Sequence, residues 1–201
     1  NPSQLTIDTS YSGFQPGPGN AAVIYKANDR IYYFFAAHYL TAYRGGGGVL
    51  VYYSDDLGKT YHDMHFIENM DEPALAIFKN NLVLNMRTNA GYRGIAIYDL
   101  LTEKWSYNYL DGELIDPICE GGLSTIQDTM LFSNPQMKYS RSNLTLYYKS
   151  SLQKPWNQLQ VTNPTVLSDY SVISQNIIHI NNTDFIGIVW GSCRYPFPFR
   201  P

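Results

Sequence analysis

The hydrophobic residues of the chain form short runs that are typical of β-strands. Six runs rich in Tyr, Ile, Val and Phe show no helical periodicity; they cover residues 21–25, 31–36, 49–53, 82–86, 95–98 and 144–149. Clusters of Gly, Asn, Asp and Pro separate the runs and predict turns, among them residues 13–20, 45–48, 79–81, 89–91 and 181–184. The pattern therefore predicts an all-β chain of short hairpins.

A turn motif recurs at intervals that match the length of a propeller blade. Residues 54–61, Ser-Asp-Asp-Leu-Gly-Lys-Thr-Tyr, follow a predicted strand and end on Tyr61. Two degraded copies, residues 98–105 and 149–156, also follow strands and end on Trp105 and Trp156, so the terminal aromatics are 44 and 51 residues apart. Four-stranded blades have about this length. We therefore predict a β-propeller.

The chemistry of residues 54–61 predicts a structural brace. Side-chain oxygens of Ser54, Asp56 and Thr60 can bond nearby backbone N–H groups. Gly58 can adopt a positive φ at low cost. We expect these residues on the outer rim of the propeller, and we assign neither Asp56 nor its neighbour Asp55 to an active site.

Composition and charge exclude several classes of protein. The chain has 201 residues, is 44% hydrophobic and 15% charged, and carries a formal charge of -3. This balance is that of a packed chain, and the lack of a basic run argues against a nucleic-acid partner. No apolar run reaches the roughly 20 residues that a membrane-spanning helix requires. We predict neither a membrane span nor a signal peptide in this sequence.

Cysteine, asparagine and histidine positions say little about compartment or cofactors. Cys119 and Cys193 form no CxxC pair and leave the compartment open. Acceptor sequons at Asn143 and Asn181 favour, without establishing, a secreted or lumenal location. The histidines at 62 and 65 lack the Glu of a zinc-protease motif, so no metal is predicted. Histidines 38 and 179 are interpreted as ordinary strand-end residues.

Residues 54–61 resemble the Asp-box of the sialidases, with Tyr61 at the position that is usually Trp. Asp-boxes also occur in unrelated propellers, so the flanking segments decide the comparison. Residues 16–20, Pro-Gly-Pro-Gly-Asn, are similar to the segment that precedes the first Asp-box of the family. Residues 71–87 run from Asp-Glu-Pro-Ala through a turn to Leu-Asn-Met-Arg, and they resemble the family's Glu strand and L-N-x-R sequence.

The second half of the chain carries the more specific part of the resemblance. Residues 117–124 are similar to a C-x-G-S stretch of the family. Residues 131–135, Leu-Phe-Ser-Asn-Pro, and residues 141–146, Arg-Ser-Asn-Leu-Thr-Leu, match the sialidase L-F-S-N-P and R-x-N-L-T motifs almost residue for residue. Residues 168–171 contain Tyr170, 29 residues after Arg141, about where the family carries its tyrosine.

The resemblance implies a six-bladed sialidase-type β-propeller, of which residues 1–201 cover about four blades. The match maps onto the later part of the family's catalytic domain. The early arginine of an F-R-I-P-like stretch and the acidic acid/base residue are not found in this sequence. We interpret the chain as a partial catalytic domain; a chain trimmed for crystallisation and a degenerate four-bladed propeller are the alternatives.

The resemblance also implies the site residues. Arg87 and Arg141 match two of the three family arginines that bind the sialic acid carboxylate, a task that suits a planar, permanently charged guanidinium. Tyr170 matches the nucleophile, and Glu72 matches the base that takes its proton. We expect these four residues to converge at one end of the propeller axis, with Glu72 about 2.6 to 3.2 Å from the Tyr170 hydroxyl. Arg93 is predicted to form only a surface salt bridge.

The expected function is release of terminal α-linked sialic acid from glycoconjugates, with retention and without a cofactor. One departure favours a different function. The family usually ends its last matched strand in a Tyr-Glu pair, whereas this chain has Trp190 and Gly191 there and no carboxylate. A lectin-like module that binds sialosides without hydrolysis is therefore the first alternative. A structural or partner-binding propeller without a sugar site is the second.

Overall fold

The computed structural model of the chain describes residues 12–17, 20–27, 29–40, 47–169, 171–174 and 176–191. The regular elements in these ranges are β-strands, and all their pairings are antiparallel. Among the described residues, no helix is long and apolar enough to cross a membrane. The prediction of an all-β fold is confirmed.

Most of the paired strands are consecutive in sequence. The first sheet has the order β1-β3-β4-β5, with β2 paired to β3; its strands are β1 (Ser12–Pro16), β2 (Ala22–Ala27), β3 (Arg30–Leu40), β4 (Gly47–Ser54) and β5 (His62–Glu68). The second sheet contains β6 (Asp71–Phe78), β7 (Asn81–Arg87), β8 (Tyr92–Asp99) and β9 (Lys104–Ile115). The third contains β10 (Gly122–Ile126), β11 (Thr129–Met137), β12 (Ser140–Lys149) and β13 (Asn157–Gln160).

The last described strands form an interrupted hairpin. They are β14 (Ser171–Ile173), β15 (Ile178–Ile180), β16 (Thr183–Phe185) and β17 (Ile188–Trp190). Strand β14 pairs with β17, and β15 pairs with β16. Ser174 bridges the interruption, since its N–H donates to the Gly187 carbonyl and its hydroxyl accepts from the Gly187 N–H.

Burial explains why the inner strands consist of continuous apolar runs. Strands β6 and β7 are buried along most of their length, because neighbouring sheets cover both of their faces, whereas the outer strand β13 is exposed throughout. One apolar cluster joins the first and second sheets and includes Phe34, Val51, Leu82, Leu84 and Met86. A second joins the second and third sheets and includes Phe78, Val83, Leu123, Met130 and Phe132. The sheets therefore pack face to face.

The inner strands begin at the same end of the molecule. Asn20, just before β2, accepts a hydrogen bond from the Leu75 N–H in β6 at 2.6 Å. The Asn20 side chain also donates to the carbonyl of Ile173 in β14 at 3.2 Å, across 153 residues of sequence. We call this the site end; it contains the starts of β6, β10, β12 and β14 and the ends of β3, β7 and β11.

The opposite end, here the box end, carries the turns between the third and fourth strands of each sheet. These are residues 55–61, 100–103 and 150–156. Ser54 ends β4, seven residues after Gly47 at the site end, so the two ends lie about 23 Å apart along the strand. The predicted brace residues are therefore far from the site end.

The turn at residues 54–61 makes the backbone hydrogen bonds that its sequence predicts for Ser54 and Asp56, whereas the Thr60 hydroxyl bonds a side chain instead. The Ser54 hydroxyl accepts from the Gly58 N–H at 2.8 Å, and one Asp56 oxygen accepts from the Lys59 and Thr60 N–H groups at 2.9 Å. The Thr60 hydroxyl donates to the other Asp56 oxygen at 2.6 Å. Gly58 has a φ of 82°, which few residues other than glycine adopt cheaply.

Candidate functional site

Glu72 occupies a β-bulge at the start of β6. Asp71 pairs with Arg87 and Pro73 pairs with Met86, so Glu72 is an extra residue in the β6–β7 ladder. Its φ is 34°, a strained value for a side chain other than glycine. Bulges next to functional sites commonly re-aim a side chain. Here a Glu72 oxygen lies 2.8 Å from a terminal nitrogen of Arg87, which ends β7.

A glycine supports this bulge from behind. A Cβ atom at Gly17 would lie 2.3 Å from the carbonyl oxygen of Pro73, far inside contact distance. Only glycine therefore lets the backbone at position 17 approach the backbone beside Glu72. This approach gives a physical reason for the glycine at position 17.

Arg87 is bound by two carboxylates and keeps one free donor. Its side chain is 22% exposed, and its other terminal nitrogen lies 3.9 Å from a carboxylate oxygen of Asp71. His38 lies 3.5 Å from the second Asp71 oxygen. Burial lowers the pKa of Arg87, but the hydrogen bond to Glu72 and the charges of Glu72, Asp71 and Asp116 outweigh it, so the pKa is raised. Within the described residues, the buried Nε of Arg87 has no hydrogen-bond partner.

Arg141, near the start of β12, projects towards solvent from the third sheet. Its side chain is 39% exposed; one nitrogen lies 3.3 Å from a carboxylate oxygen of Asp169 and another donates to the Ile118 carbonyl at 2.8 Å. Asp169 is buried, and its N–H donates to the carbonyl of Gly191 at 2.8 Å. Asp169 is thus tied through its backbone to Gly191, in the segment where the sequence resemblance predicted the loss of a carboxylate.

The loop at residues 116–121 connects the two arginine sites. Burial raises the pKa of the Cys119 thiol in this loop to about 12, the Arg141 charge opposes that rise, and the carboxylates of Asp116, Asp169 and Glu72 reinforce it. Groups from the second and third sheets therefore act on the same thiol. Glu72 and Arg141 lie in one electrostatic neighbourhood at the site end.

Tyr170 lies outside the described residues, so its contact with Glu72 stays a prediction. The neighbouring positions on both sides are described. The Asp169 carboxylate contacts Arg141, and the Ser171 hydroxyl donates to the Ser133 carbonyl at 2.7 Å. The residue before position 170 therefore contacts Arg141, and the residue after it begins strand β14.

The prediction that Arg93 forms a surface salt bridge is wrong. Its side chain is fully buried, and it pairs with the buried Asp116 at 3.1 Å. It also donates to the Asn85 side chain and to the Cys119 carbonyl, each at 2.6 Å. A buried guanidinium needs this many partners, because an unpaired charge in the interior is strongly destabilising. Arg93 thus fastens the loop at residues 116–121 to β7 and β8.

Solved structures that align with this arrangement of sheets are sialidases. A Hadza microbial sialidase aligns with a TM-score of 0.75 at 22% identity, over 92% of this chain and 37% of that one. The NanB sialidase of Streptococcus pneumoniae, bound to a chlorobenzyl-ammonio-ethanesulfonate, aligns with a TM-score of 0.67 at 19% identity, over 89% and 28%. The Trypanosoma rangeli sialidase, in a covalent intermediate with 2,3-difluorosialic acid, gives 0.66 at 18% identity, over 89% and 32%.

The chain has a sialidase-like β-propeller fold. No protein-family model and no curated protein matches its sequence. The chain spans between about a quarter and two fifths of the length of the solved sialidases it resembles. The likeness is one of fold, since the sequence identities lie between 15% and 22%.

Three carboxylates at the site end were not assigned a role from the sequence. Asp71 and Asp169 each precede an assigned residue directly, and each contacts an assigned arginine. Asp116 partners Arg93 instead. The Asp-Glu and Asp-Tyr dipeptides were the available signal for the first two. In the part of the chain that the structure describes, no group of three or more metal-ligating side chains could hold an ion.

Proposed function

We propose that this propeller forms the later part of an exo-α-sialidase, which releases terminal α-linked sialic acid from glycoconjugates with retention. The observation that carries the proposal is the pair of arginines at the site end. Arg87 and Arg141 come from different sheets. Arg141 donates to the Ile118 carbonyl in the loop at residues 116–121, and Arg87 pairs with Glu72, whose charge acts on Cys119 in the same loop. Both side chains are partly exposed, so an anionic ligand can reach them.

The chemistry of the substrate explains why two guanidinium groups are needed. Sialic acid carries a carboxylate on its anomeric carbon, beside the bond that is cleaved. A guanidinium stays charged at any working pH and binds a carboxylate through two parallel hydrogen bonds. In the proposed complex the substrate carboxylate takes up the open donors of Arg87 and Arg141, while the internal carboxylates hold both side chains in place.

Tyr170 is proposed as the nucleophile and Glu72 as its base. An attacking carboxylate would approach the negative charge of the substrate, whereas a phenol approaches without charge repulsion. The Tyr170 oxygen bonds to the anomeric carbon, its proton passes to Glu72, and the glycosidic bond breaks. The leaving oxygen takes a proton from an acid that the family resemblance assigns upstream of this sequence. Water then hydrolyses the tyrosyl intermediate with net retention.

Hydrolysis of an aryl sialoside by a longer protein that contains this chain tests the proposal. We expect Arg141→Ala to lower kcat/KM by orders of magnitude, because a desolvated charge-assisted contact is worth about 2 to 5 kcal/mol. The matched control is Arg30→Ala, which removes an exposed arginine at the box end and should leave the rate unchanged. Near wild-type turnover in Arg141→Ala would contradict the proposed role.

Tyr170→Phe provides an independent test of the nucleophile. The variant has no nucleophilic oxygen, so a fluorinated sialic acid that traps the intermediate should no longer become attached to the protein. Sialoside binding in the ground state should persist. Because the acid/base residue and the first arginine are expected upstream, the 201-residue chain alone should show little or no hydrolysis. Trapping in Tyr170→Phe would refute the assignment.

A sialoside-binding module without turnover is the second candidate. The absence of a carboxylate at Trp190 and Gly191 favours it, since the family uses one there to steady its first arginine. Saturation-transfer NMR with sialyllactose separates the two functions. Binding that requires Arg141, together with no hydrolysis by the longest available form of the protein, would establish the module and exclude the enzyme.

A further inference from the structure

A groove at the box end, between the first and second sheets, has the chemistry of a second binding site. Its volume is about 660 Å³, which is within the usual range for small-molecule sites. Strands β2 to β5 form one wall, and β8 with the turn after it forms the other. The groove is separated from the site end by the length of the strands, so it is distinct from the arginine site.

Four tyrosines give the groove its aromatic surface, and we call it the tyrosine groove. Tyr25, Tyr32 and Tyr53 follow one another across the first sheet, with ring centroids 6.3 and 6.4 Å apart. Tyr98 lines the facing wall. All four are only partly buried; they pack against the apolar cluster between the first and second sheets and line the groove. The two ring pairs in the first sheet are tilted by 37° and 44°, which presents the rings at different angles to a ligand.

The polar groups at the groove are mainly carboxylates. Among the described residues that line it, Asp55, Asp63 and Glu103 are acidic and Arg30 is basic. In the described ranges, neither Asp63 nor Glu103 has an ion-pair partner, and Asp55 is only 3.9 Å from the His62 ring. Three negative groups against one positive group give the groove a negative potential. An anionic sugar is therefore repelled from this surface.

We propose that the tyrosine groove binds a small organic cation that carries a quaternary or alkylated ammonium group. The negative face of an aromatic ring attracts such a cation, and several rings in different orientations increase the contact. Carboxylates at the rim balance the remaining charge. Aromatic rings without acidic groups would suit neutral ligands equally well, so the choice of a cation rests on the three carboxylates.

Choline and its neutral isostere, 3,3-dimethylbutan-1-ol, test the proposal on the 201-residue chain. The two have the same shape and differ in the charge of the central atom. In NMR titrations we expect choline to bind with a dissociation constant of about 1 mM and to shift signals of the groove tyrosines. The isostere should bind about 5- to 30-fold more weakly, because it lacks the cation–π attraction. Methyl galactoside serves as a neutral sugar.

Substitutions in the groove locate the binding. Tyr53→Leu should weaken choline binding at least about 5-fold. Asp63→Asn and Glu103→Gln should each weaken it about 2- to 5-fold, and both replace exposed groups that the fold does not need. Asp128→Asn removes an exposed carboxylate from the β10–β11 turn of another sheet and should leave binding unchanged.

Three outcomes would overturn the proposal. The first is equal binding of choline and its isostere, which would indicate an apolar surface without charge selectivity. The second is binding of methyl galactoside in preference to choline, which would indicate a neutral sugar site. The third is choline binding that is absent, or that is unaffected by Asp63→Asn and Glu103→Gln in folded protein.

Discussion

The contacts that stabilise the site end of the propeller join residues far apart in sequence, whereas those at the box end join near neighbours. At the box end, the hydrogen bonds of the turn at residues 54–61 join residues at most four apart. At the site end, Arg93 contacts Asp116 across 23 residues and Arg141 contacts Asp169 across 28. The turn therefore has its structure encoded locally, whereas the site exists only once the sheets have assembled. Mutations at the two ends should differ accordingly.

Loss of the buried Arg93 should have the largest effect. Arg93→Met leaves the buried Asp116 carboxylate without its cation, which costs about 3 to 5 kcal/mol in the free energy of unfolding. Urea denaturation measures this loss, and Arg93→Met with Asp116→Leu should recover part of it. Arg30→Met, at an exposed position, should change stability by less than about 0.5 kcal/mol. A loss in Arg93→Met no larger than in Arg30→Met would contradict the buried network.

A methyl group at Gly17 should strain the site end. Gly17→Ala places its Cβ against the Pro73 carbonyl, so the backbone beside Glu72 must move, at a cost of about 1 to 3 kcal/mol. Binding of a sialoside should weaken in parallel. Gly112→Ala is the matched control, because a Cβ there meets nothing within 4 Å. Equal stabilities of the two variants would mean that Gly17 does not support the bulge.

Removal of the Ser54 hydroxyl tests the box end. Ser54 is fully buried and its oxygen bonds both the Gly58 N–H and Asp56, so Ser54→Ala should cost about 1 to 3 kcal/mol. Ser106→Ala, at an exposed hydroxyl with only a 3.5 Å contact, should cost far less. Unlike Gly17→Ala, Ser54→Ala should leave sialoside affinity unchanged. Loss of affinity in folded Ser54→Ala would make the turn part of the site.

The smallest expected effect is a loss of folding stability at acidic pH, caused by protonation of Asp56 in the same turn. Bonds from the Thr60 hydroxyl and N–H, then those from Ser54 and Lys59, lower the pKa of Asp56 from 3.8 to about 2. Since the folded pKa is the lower one, the stabilisation is complete above pH 3.8 and is lost as the pH falls towards 2. The stability difference between wild type and Asp56→Asn should therefore shrink over that interval.

Asp128→Asn is the control for this titration. Asp128 is an exposed turn carboxylate that accepts no hydrogen bond within the described part of the chain. The difference in free energy of unfolding between Asp128→Asn and wild type should stay small between pH 4 and pH 2. A constant difference for Asp56→Asn over the same range would show that the bonds at residues 54–61 do not depend on the carboxylate charge.

Local patterns allowed most of the fold to be predicted from the sequence. The apolar runs lie within β2, β3, β4, β7, β8 and β12, apart from one residue at position 21. The repeated turns fall between the third and fourth strands of three sheets. These features depend on alternation, turn residues and neighbouring hydrogen bonds, which a sequence displays directly.

The site could be predicted only in part. Motif resemblance pointed to Glu72, Arg87 and Arg141, but it did not reveal their internal partners. Arg93 was misjudged because an arginine in a short strand gives no sign of burial. Its burial depends on the loop at residues 116–121 folding over it, and that loop is held by contacts 23 and 26 residues away in sequence.

The bond from Asn20 to Ile173 bears on the order in which the chain folds during synthesis. In the second and third sheets the paired strands are consecutive in sequence, so residues 71–115 can complete their ladder before the third sheet exists. The Asn20 bond spans 153 residues and cannot form until Ile173 has emerged. We expect the sheets to form one after another from the N-terminus, with this contact among the last. Asn20→Ala should then speed unfolding more than it slows folding.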